Sequence, residues 1–187
     1  MFTDYTRLIN KEHPLPSNYI PSDLIDIGLP FDCAPDDSKR LLEKKAAYAA
    51  RELLCRGQHE GISLCCISGY RSYDRQKELF QGSPYVAAPG TSEHQSGLAL
   101  DLSSPSVQME LAEEFGETPE GRWLASHAPF YGFILRYPFG KEEITQYPYE
   151  PWHIRFVTRT LAIYLTKTGM TLDEYHTIQK KDYTMTV

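Results

Sequence analysis

The chain has 187 residues, of which 41% are hydrophobic and 24% charged, and its formal net charge is −6 at pH 7. This composition is ordinary for one globular domain with a sizeable core, and the chain is short for two domains. The negative charge argues against a nucleic-acid partner, because such proteins neutralise phosphates with Lys and Arg. No run of about 18 apolar residues occurs, so we expect no transmembrane helix.

The N-terminal segment contains no apolar h-region and no small-residue cleavage site of the kind found in secretory signals. We therefore expect a cytoplasmic chain, or one from which an export segment has been removed. Five prolines lie between residues 14 and 35 and interrupt any long element. They predict an irregular arm over residues 1–37, packed on a single domain that comprises residues 38–187.

Helices and strands alternate in the next part of the chain. Apolar residues at helical spacing predict a helix over 38–58 that ends near Gly57. The run ISLCCISGY predicts a buried strand over 62–70, and a Ser-capped helix follows over 72–81. After a loop rich in Gly and Pro over 82–92, GLALDLS predicts a strand whose leucines share one face, with Asp101 on the other.

The remaining elements complete a mixed fold. Helices are predicted over 106–116 and 119–131, and strands in GFILRYP and WHIRFV. The stretch TRTLAIYLTKTG predicts a helix that ends before Gly169. This order indicates a single-domain α+β protein with an antiparallel sheet covered by helices.

Four cysteines are present, Cys33, Cys55, Cys65 and Cys66, and none forms a C-x-x-C pair. A vicinal disulfide between Cys65 and Cys66 would strain a strand, so we interpret this pair as buried reduced thiols. The sequence therefore does not indicate cysteine as a metal ligand.

Asp101 lies in the middle of a strand that is otherwise apolar, in SEHQSGLALD. An unpaired carboxylate in a core is costly, so a cation from the protein, a proton or a metal must neutralise it. His94 precedes the strand across Gly97, where a tight turn could bring the imidazole beside the carboxylate. Nitrogen and oxygen together suit zinc, and a catalytic zinc needs a third protein ligand.

The candidate for this third ligand is His153 in the segment YEPWHIRFV. Pro151 argues against a helix here and favours a turn that leads into a strand. Glu150 lies three residues before His153 and could act as a general base on a metal-bound water. A purely structural His–Asp hydrogen bond remains an alternative, because the spacing alone does not decide between the two.

The other histidines have no such context. We interpret them as ordinary surface or core residues: His13, His59, His127 and His176.

Three motifs, SGYRS (68–72), SEHQSGLALD (92–101) and EPWHIRF (150–156), closely resemble the VanY-type D-alanyl-D-alanine carboxypeptidases. These belong to a wider zinc peptidase group with the D,D-dipeptidases of glycopeptide resistance, L,D-carboxypeptidases and some phage lysins. The family pattern S-x-H-x-x-G-x-A-x-D is matched from Ser92 to Asp101, and E-x-W-H from Glu150 to His153. The resemblance extends from about residue 8 to about residue 175.

The resemblance implies a hedgehog/D,D-peptidase-like fold and one zinc ion per chain, bound by His94, Asp101 and His153. Glu150 would be the catalytic base and Arg71 the catalytic cation that faces the substrate. The other residues implied in substrate binding are Gln76, Ser92 and Trp152. The expected substrate is a peptidoglycan stem peptide or precursor ending in D-Ala-D-Ala. We expect a monomer, which would face the cell wall if an export segment has been removed.

The sequence departs from its relatives at two places. Many relatives have H-F-R-Y-V-G where this chain has HIRFVT, so that Thr158 replaces a glycine and packing is affected. The connection after the helix predicted over 72–81 is short, whereas bifunctional relatives tend to carry a longer loop there. This shorter connection argues against dipeptidase activity.

We therefore expect a zinc-dependent D,D-carboxypeptidase. The enzyme alternatives are a D-Ala-D-Ala dipeptidase or bifunctional D,D-peptidase, an L,D-carboxypeptidase and a lysin-type endopeptidase. A non-catalytic peptidoglycan-binding relative is a further alternative. The presence of Glu150 argues against this last interpretation, because a protein that only binds needs no general base.

Overall fold

The computed structural model describes residues 3–81 and 86–184, and a four-stranded antiparallel sheet lies at its centre. Its strands, in the spatial order β3-β4-β6-β5, are β3 (Cys65–Ser68), β4 (Ala99–Ser103), β6 (Glu150–Phe156) and β5 (Phe133–Tyr137). A separate two-stranded ribbon pairs β1 (Leu24–Ile25) with β2 (Leu42–Glu43). Helices pack around the sheet, and the predicted α+β fold with an antiparallel sheet is confirmed.

The helices differ widely in length. They are α1 (Lys44–His59), α2 (Tyr73–Leu79), α3 (Pro119–His127), α4 (Glu142–Thr145), α5 (Arg159–Thr168) and α6 (Leu172–Thr184). Short 3₁₀ turns are formed by Ser38–Arg40, Glu93–Ser96, Pro105–Val107, Glu113–Glu117 and Ala128–Tyr131. Within the described residues, none of these helices is long and apolar enough to cross a membrane.

One face of the sheet packs against the main hydrophobic core, as the alternation in β4 and β6 predicts. From β4 and the residue before it, this core contains Leu98, Leu100 and Leu102. From β6 it contains Trp152, Ile154 and Phe156, and from α1 it contains Ala46, Ala50 and Leu53. A smaller apolar cluster joins α5 and α6 to the sheet through Ile134, Val157, Leu161, Leu165 and Leu172. The polar side chains of β4 and β6 are thereby directed away from the main core.

The first long helix was predicted to begin at residue 38, but it begins at Lys44. The residues just before it, Leu42 and Glu43, form β2 and pair with β1. The Glu43 side chain accepts hydrogen bonds from the backbone N–H groups of Lys45 and Ala46 and so caps the helix. Gly57 does not end the helix, which continues to His59. A Cβ atom at Gly57 would lie 3.2 Å from the Trp123 ring, so close packing accounts for this glycine.

The helix predicted over 106–116 is wrong, because two separate 3₁₀ turns occupy this region. Between them Gln108 and Met109 have positive φ angles of 57° and 66°, which no right-handed helix contains. The next predicted helix, over 119–131, is α-helical only to His127, and Pro129 lacks the N–H that a longer helix would use. Within the predicted loop 82–92, residues 82–85 lie outside the described part of the chain.

The four cysteines are free. Cys66 is buried in β3, and burial raises the pKa of its thiol well above the ordinary value. Its neighbour Cys65 is only half-buried, with Sγ 3.1 Å from the carbonyl oxygen of Pro30. Both thiols are free in the structure, and the predicted burial holds for Cys66 but not for Cys65.

Candidate active site

The pairing of the two central strands brings Asp101 and His153 together. In the β4–β6 register these residues are direct partners, and both point away from the leucine-lined core. The Nδ1 atom of His153 lies 3.0 Å from Oδ1 of Asp101. Strand alternation and register, which set side-chain direction, thus place both groups on one surface.

His94 reaches the same place from the 3₁₀ turn Glu93–Ser96, which ends at Gly97. Gly97 has φ 69°, and a Cβ atom there would lie 2.7 Å from Leu24, so only glycine fits. The turn puts His94 Nε2 3.1 Å from Asp101 Oδ2, while Nδ1 lies 2.7 Å from the Gly69 carbonyl oxygen. If Nδ1 donates to this carbonyl, the lone pair of Nε2 is free to bind a metal.

His94, Asp101 and His153 each offer one ligand atom, and these atoms lie within 4.8 Å of one another. Among residues 3–81 and 86–184, no other group of three or more His, Cys, Asp and Glu side chains has a spacing suited to a metal. The four other histidines lie outside this cluster. Two imidazoles, one carboxylate and hydrogen-bonded outer ring nitrogens are a donor set that fits zinc.

The charges within this cluster influence one another. Burial would raise the pKa of Asp101, but the neighbouring His94 and His153 lower it below the ordinary value. For His153, burial lowers the pKa, while hydrogen bonds with Asp101 and Glu93 outweigh burial and raise it to about 10. Burial lowers the pKa of His94. The cluster therefore stabilises an ionised carboxylate in a position where solvent cannot.

Glu150 lies at the start of β6, beside the cluster but outside it. Its Oε2 atom is 3.8 Å from His153 Nδ1, and its side chain is buried. Burial, reinforced by the negative charge of Asp101, raises the pKa of Glu150 to about 7, although His153 opposes the shift. A carboxylate with this pKa can take up and release a proton near neutral pH.

Arg71 points toward the cluster from the loop after β3. Its guanidinium donates to Gln76 Oε1 at 2.9 Å and to Ser68 Oγ at 3.1 Å, and lies 3.9 Å from Asp101 Oδ2. Gln76 is completely buried, and its amide nitrogen donates to the Ala87 carbonyl at 2.6 Å. Gln76 thus lies behind Arg71, where it can orient the guanidinium but is shielded from the cavity.

These groups open into a cavity of about 500 Å³. Arg71, Glu150, Ser92 and Trp152 line it, together with the three clustered residues and an apolar wall of Leu79, Val86, Leu111 and Ala112. The Ser92 side chain makes no capping hydrogen bond to the turn that follows. Trp152 also belongs to the main core, so it forms part of the cavity floor.

A buried ion-pair network behind His153 was missed from the sequence. Glu93 Oε1 accepts from Arg155 at 2.6 Å and from Arg136 at 2.8 Å, and Arg136 also pairs with Asp173 at 2.5 Å. Burial would raise the pKa of Glu93, but Arg155 and Arg136 lower it below the ordinary value. Two signals were available: Glu93 lies inside the SEHQ motif, and Arg155 shares a strand face with His153.

Residues 39–159 match the family model described as VanY: D-alanyl-D-alanine carboxypeptidase. The chain belongs to the VanY family. YodJ of Bacillus subtilis (strain 168), named as a carboxypeptidase, is 45% identical over 184 residues, which are 93% of this chain and 67% of that protein. The bifunctional D-Ala-D-Ala dipeptidase and carboxypeptidase VanXYC of Enterococcus gallinarum is 35% identical, over 91% of this chain and 92% of its own.

Two solved peptidase structures share the fold. The LdcB LD-carboxypeptidase superposes with a TM-score of 0.87 at 45% identity, over 90% of this chain and 84% of that chain. A VanY D,D-pentapeptidase mutant in complex with Zn(II) has a TM-score of 0.75 at 27% identity, over 92% and 99% of the two chains. Membership of this family identifies the chain as a carboxypeptidase-type peptidase.

Proposed function

We propose that this protein is a zinc-dependent D,D-carboxypeptidase that removes the C-terminal D-alanine from peptidoglycan stem or precursor peptides. The observation that carries the proposal is the convergence of His94, Asp101 and His153 in one cavity with Glu150 beside them. A VanY relative that binds Zn(II) supports the choice of metal. When bound, zinc would supply Lewis acidity that activates water and polarises the scissile carbonyl.

Glu150 would move the proton in this reaction. Its carboxylate takes a proton from the attacking water and passes it to the nitrogen of the leaving D-alanine. The position supports this role, because Glu150 is 3.8 Å from the His153 nitrogen that faces Asp101 and has a pKa raised to about 7. Glu150 would therefore act beside the metal without binding it.

Arg71 would bind the C-terminal carboxylate of the substrate. Its fork is held in place by Gln76 and Ser68, at 2.9 and 3.1 Å, so the guanidinium can meet the terminal carboxylate with little loss of freedom. Ser92 lines the same cavity and would hold the peptide end. A site that pairs a guanidinium with a terminal carboxylate favours an exopeptidase over an endopeptidase.

An L,D-carboxypeptidase is the second candidate, because the LdcB structure superposes with a TM-score of 0.87 and the VanY mutant structure with 0.75. The two activities differ in the residue before the scissile bond, which is D-alanine for a D,D-enzyme and an L-residue for an L,D-enzyme. A D,D-enzyme cleaves the pentapeptide that ends in D-Ala-D-Ala. An L,D-enzyme cleaves the tetrapeptide that ends in L-Lys-D-Ala.

The deciding experiment is mass spectrometry of four substrates incubated with the zinc-loaded protein. These are the pentapeptide, its C-terminal amide, the tetrapeptide and free D-Ala-D-Ala. We expect release of one alanine from the pentapeptide and none from its amide. Preference for the tetrapeptide would instead establish the L,D-activity. Equal cleavage of the amide would indicate an endopeptidase, and preference for the free dipeptide would indicate a dipeptidase.

The metal is tested separately by elemental analysis of protein purified without chelator. We expect about one zinc per chain, and its loss in His153→Ala. The control is His59→Ala, because His59 is exposed and outside the cluster. Full activity in zinc-free protein would contradict the proposal.

A further inference from the structure

Glu93 follows Ser92 and precedes the candidate ligand His94, yet its carboxylate reaches the other candidate ligand, His153. Oε2 lies 3.4 Å from His153 Nε2, while Oε1 accepts from both Arg155 and Arg136. The two oxygens thus divide their partners: one is held by the guanidinium groups and the other faces the imidazole. Glu93 is only 1% exposed, so water does not replace either contact.

Burying the charged groups of this network costs free energy of desolvation. Arg136 and Arg155 are both 0% exposed, and removing such charges from water is costly even when they are paired. Apolar residues of similar volume often stabilise a protein at least as well as a buried ion pair. Stability alone therefore does not account for the network. The informative feature is the position of Glu93 Oε2, which faces His153 and not the arginines.

The two candidate histidine ligands present different nitrogens to the site. His94 offers Nε2 and has its Nδ1 within 2.7 Å of the Gly69 carbonyl. His153 offers Nδ1, 3.0 Å from Asp101, so its Nε2 must carry the proton when Nδ1 binds a metal. A histidine ligand needs a hydrogen-bond acceptor on its outer nitrogen to fix the tautomer and the ring. For His153, the described residue at that nitrogen is Glu93.

We propose that Glu93 is a positioning residue, which fixes the tautomer and ring orientation of His153 so that Nδ1 faces the metal. Arg155 and Arg136 hold the carboxylate in place. They in turn are anchored: Arg155 donates to the carbonyls of Tyr5 and Arg7 at 3.3 and 2.8 Å, and Arg136 pairs with Asp173 of α6. This inference rests on the proposed zinc site and adds the support behind it.

The test is zinc affinity, measured by competition with a chromophoric chelator, together with the visible absorption spectrum of the cobalt-substituted protein. We expect Glu93→Gln to bind zinc about 10–100-fold more weakly than the native protein and to change the cobalt spectrum. The matched control is Glu43→Gln, another buried glutamate, whose carboxylate caps α1 and accepts from Tyr5. It should lower the melting temperature and leave zinc affinity unchanged.

Two further variants cover the case in which Glu93→Gln does not fold. Glu93→Asp keeps the charge near the arginines but withdraws it from His153. The double variant Glu93→Gln/Arg155→Gln removes one charge of each sign and leaves the Arg136–Asp173 pair intact. Either variant should show the same loss of zinc affinity. A folded Glu93 variant with native zinc affinity and a native cobalt spectrum overturns the inference, while the zinc site itself stands.

Native protein gives an independent measurement. Long-range ¹H–¹⁵N NMR spectra of the zinc-loaded form should show His153 with Nδ1 bound to metal and Nε2 protonated. The opposite tautomer overturns the role of Glu93 without affecting the existence of the site. Native protein that binds no zinc overturns the proposed function, and this inference with it.

Discussion

The two faces of the central sheet are built from the same strands but are stabilised in different ways. On one face, Leu100 and Ile154 pack into the main core, where burial is favourable whatever the direction of the contact. On the other face, Asp101, His153 and Arg155 are equally buried, yet each needs a partner of the right charge and geometry. The apolar face should tolerate changes of shape at a cost in stability, whereas the polar face should lose function while the fold persists.

The largest expected effect is on the polar face, at Glu150. The Glu150→Gln variant should lower the turnover rate by about 10²–10⁴-fold, because the amide cannot take a proton from water. Zinc content and melting temperature should stay close to native values, since the side chain keeps its size and lies outside the three candidate ligands. Steady-state kinetics and elemental analysis on the same preparation measure both properties.

The matched control is Glu143→Gln, an exposed glutamate in α4. It should leave turnover and zinc content unchanged. Loss of zinc in Glu150→Gln would contradict the assignment of Glu150 as a base, because a residue that is not a ligand should not be needed to retain the metal.

The next largest effect is expected on the apolar face, at Leu100. This residue is completely buried and precedes Asp101 in the sequence. Leu100→Ala should destabilise the protein by about 2–5 kcal/mol, from lost burial and the cavity left behind. Urea denaturation measures this change. The zinc affinity of the folded protein should remain within about threefold of native, because the side chain points away from the ligand cluster.

Ile178→Ala is the control, since Ile178 is 47% exposed on α6 and its truncation should cost less than about 1 kcal/mol. If Leu100→Ala retained its stability but lost zinc affinity, the proposed division of labour between the two faces would be wrong.

A smaller effect is expected at Arg71, where the charge can be kept and the geometry changed. Arg71→Lys removes the fork that Gln76 and Ser68 hold, so kcat/KM for the pentapeptide should fall by about 10–100-fold. The control is Arg75→Lys, at an exposed ion pair with Glu78, which should leave kcat/KM unchanged. Equal kinetics for Arg71→Lys and the native protein would show that no bidentate contact is made.

The sequence predicted which side chains lie together in the candidate site better than it predicted the connections between the strands. Alternation in two strands assigned Leu100 to the core face and Asp101 to the opposite face, and the His94-to-Gly97 spacing indicated a turn. These are local patterns, which a sequence displays directly. Spacing suggested Glu150 as a possible base without deciding the question, and the family resemblance implied the roles that are proposed here for Glu150 and Arg71.

The sequence pointed to Glu93 and Arg155 only as members of two motifs, and it could not predict their pairing, because this depends on which strands become neighbours. Arg136 lies on β5 and Asp173 on α6, far from Glu93 along the chain, and only the fold brings them together. The end of the first helix was missed for a similar reason. Gly57 looks like a cap, but contact with Trp123 explains it once the tertiary structure is known.

The smallest expected effect lies where β6 leaves the sheet, at Thr158. Its φ and ψ angles are 102° and 150°, a region that is essentially restricted to glycine and that costs other residues about 1–3 kcal/mol. Thr158→Gly should therefore raise stability by about 1 kcal/mol, after the greater freedom of glycine in the unfolded chain is subtracted.

Thermal denaturation should show this gain as a rise of about 2–4 °C in Tm. Thr166→Gly is the matched control, because Thr166 is exposed within α5, where the backbone is helical and glycine should lower stability by a few tenths of a kcal/mol. Turnover should not change in either variant, since neither residue lines the cavity. A fall in Tm for Thr158→Gly would mean that contacts of the threonine side chain outweigh the backbone strain at the junction.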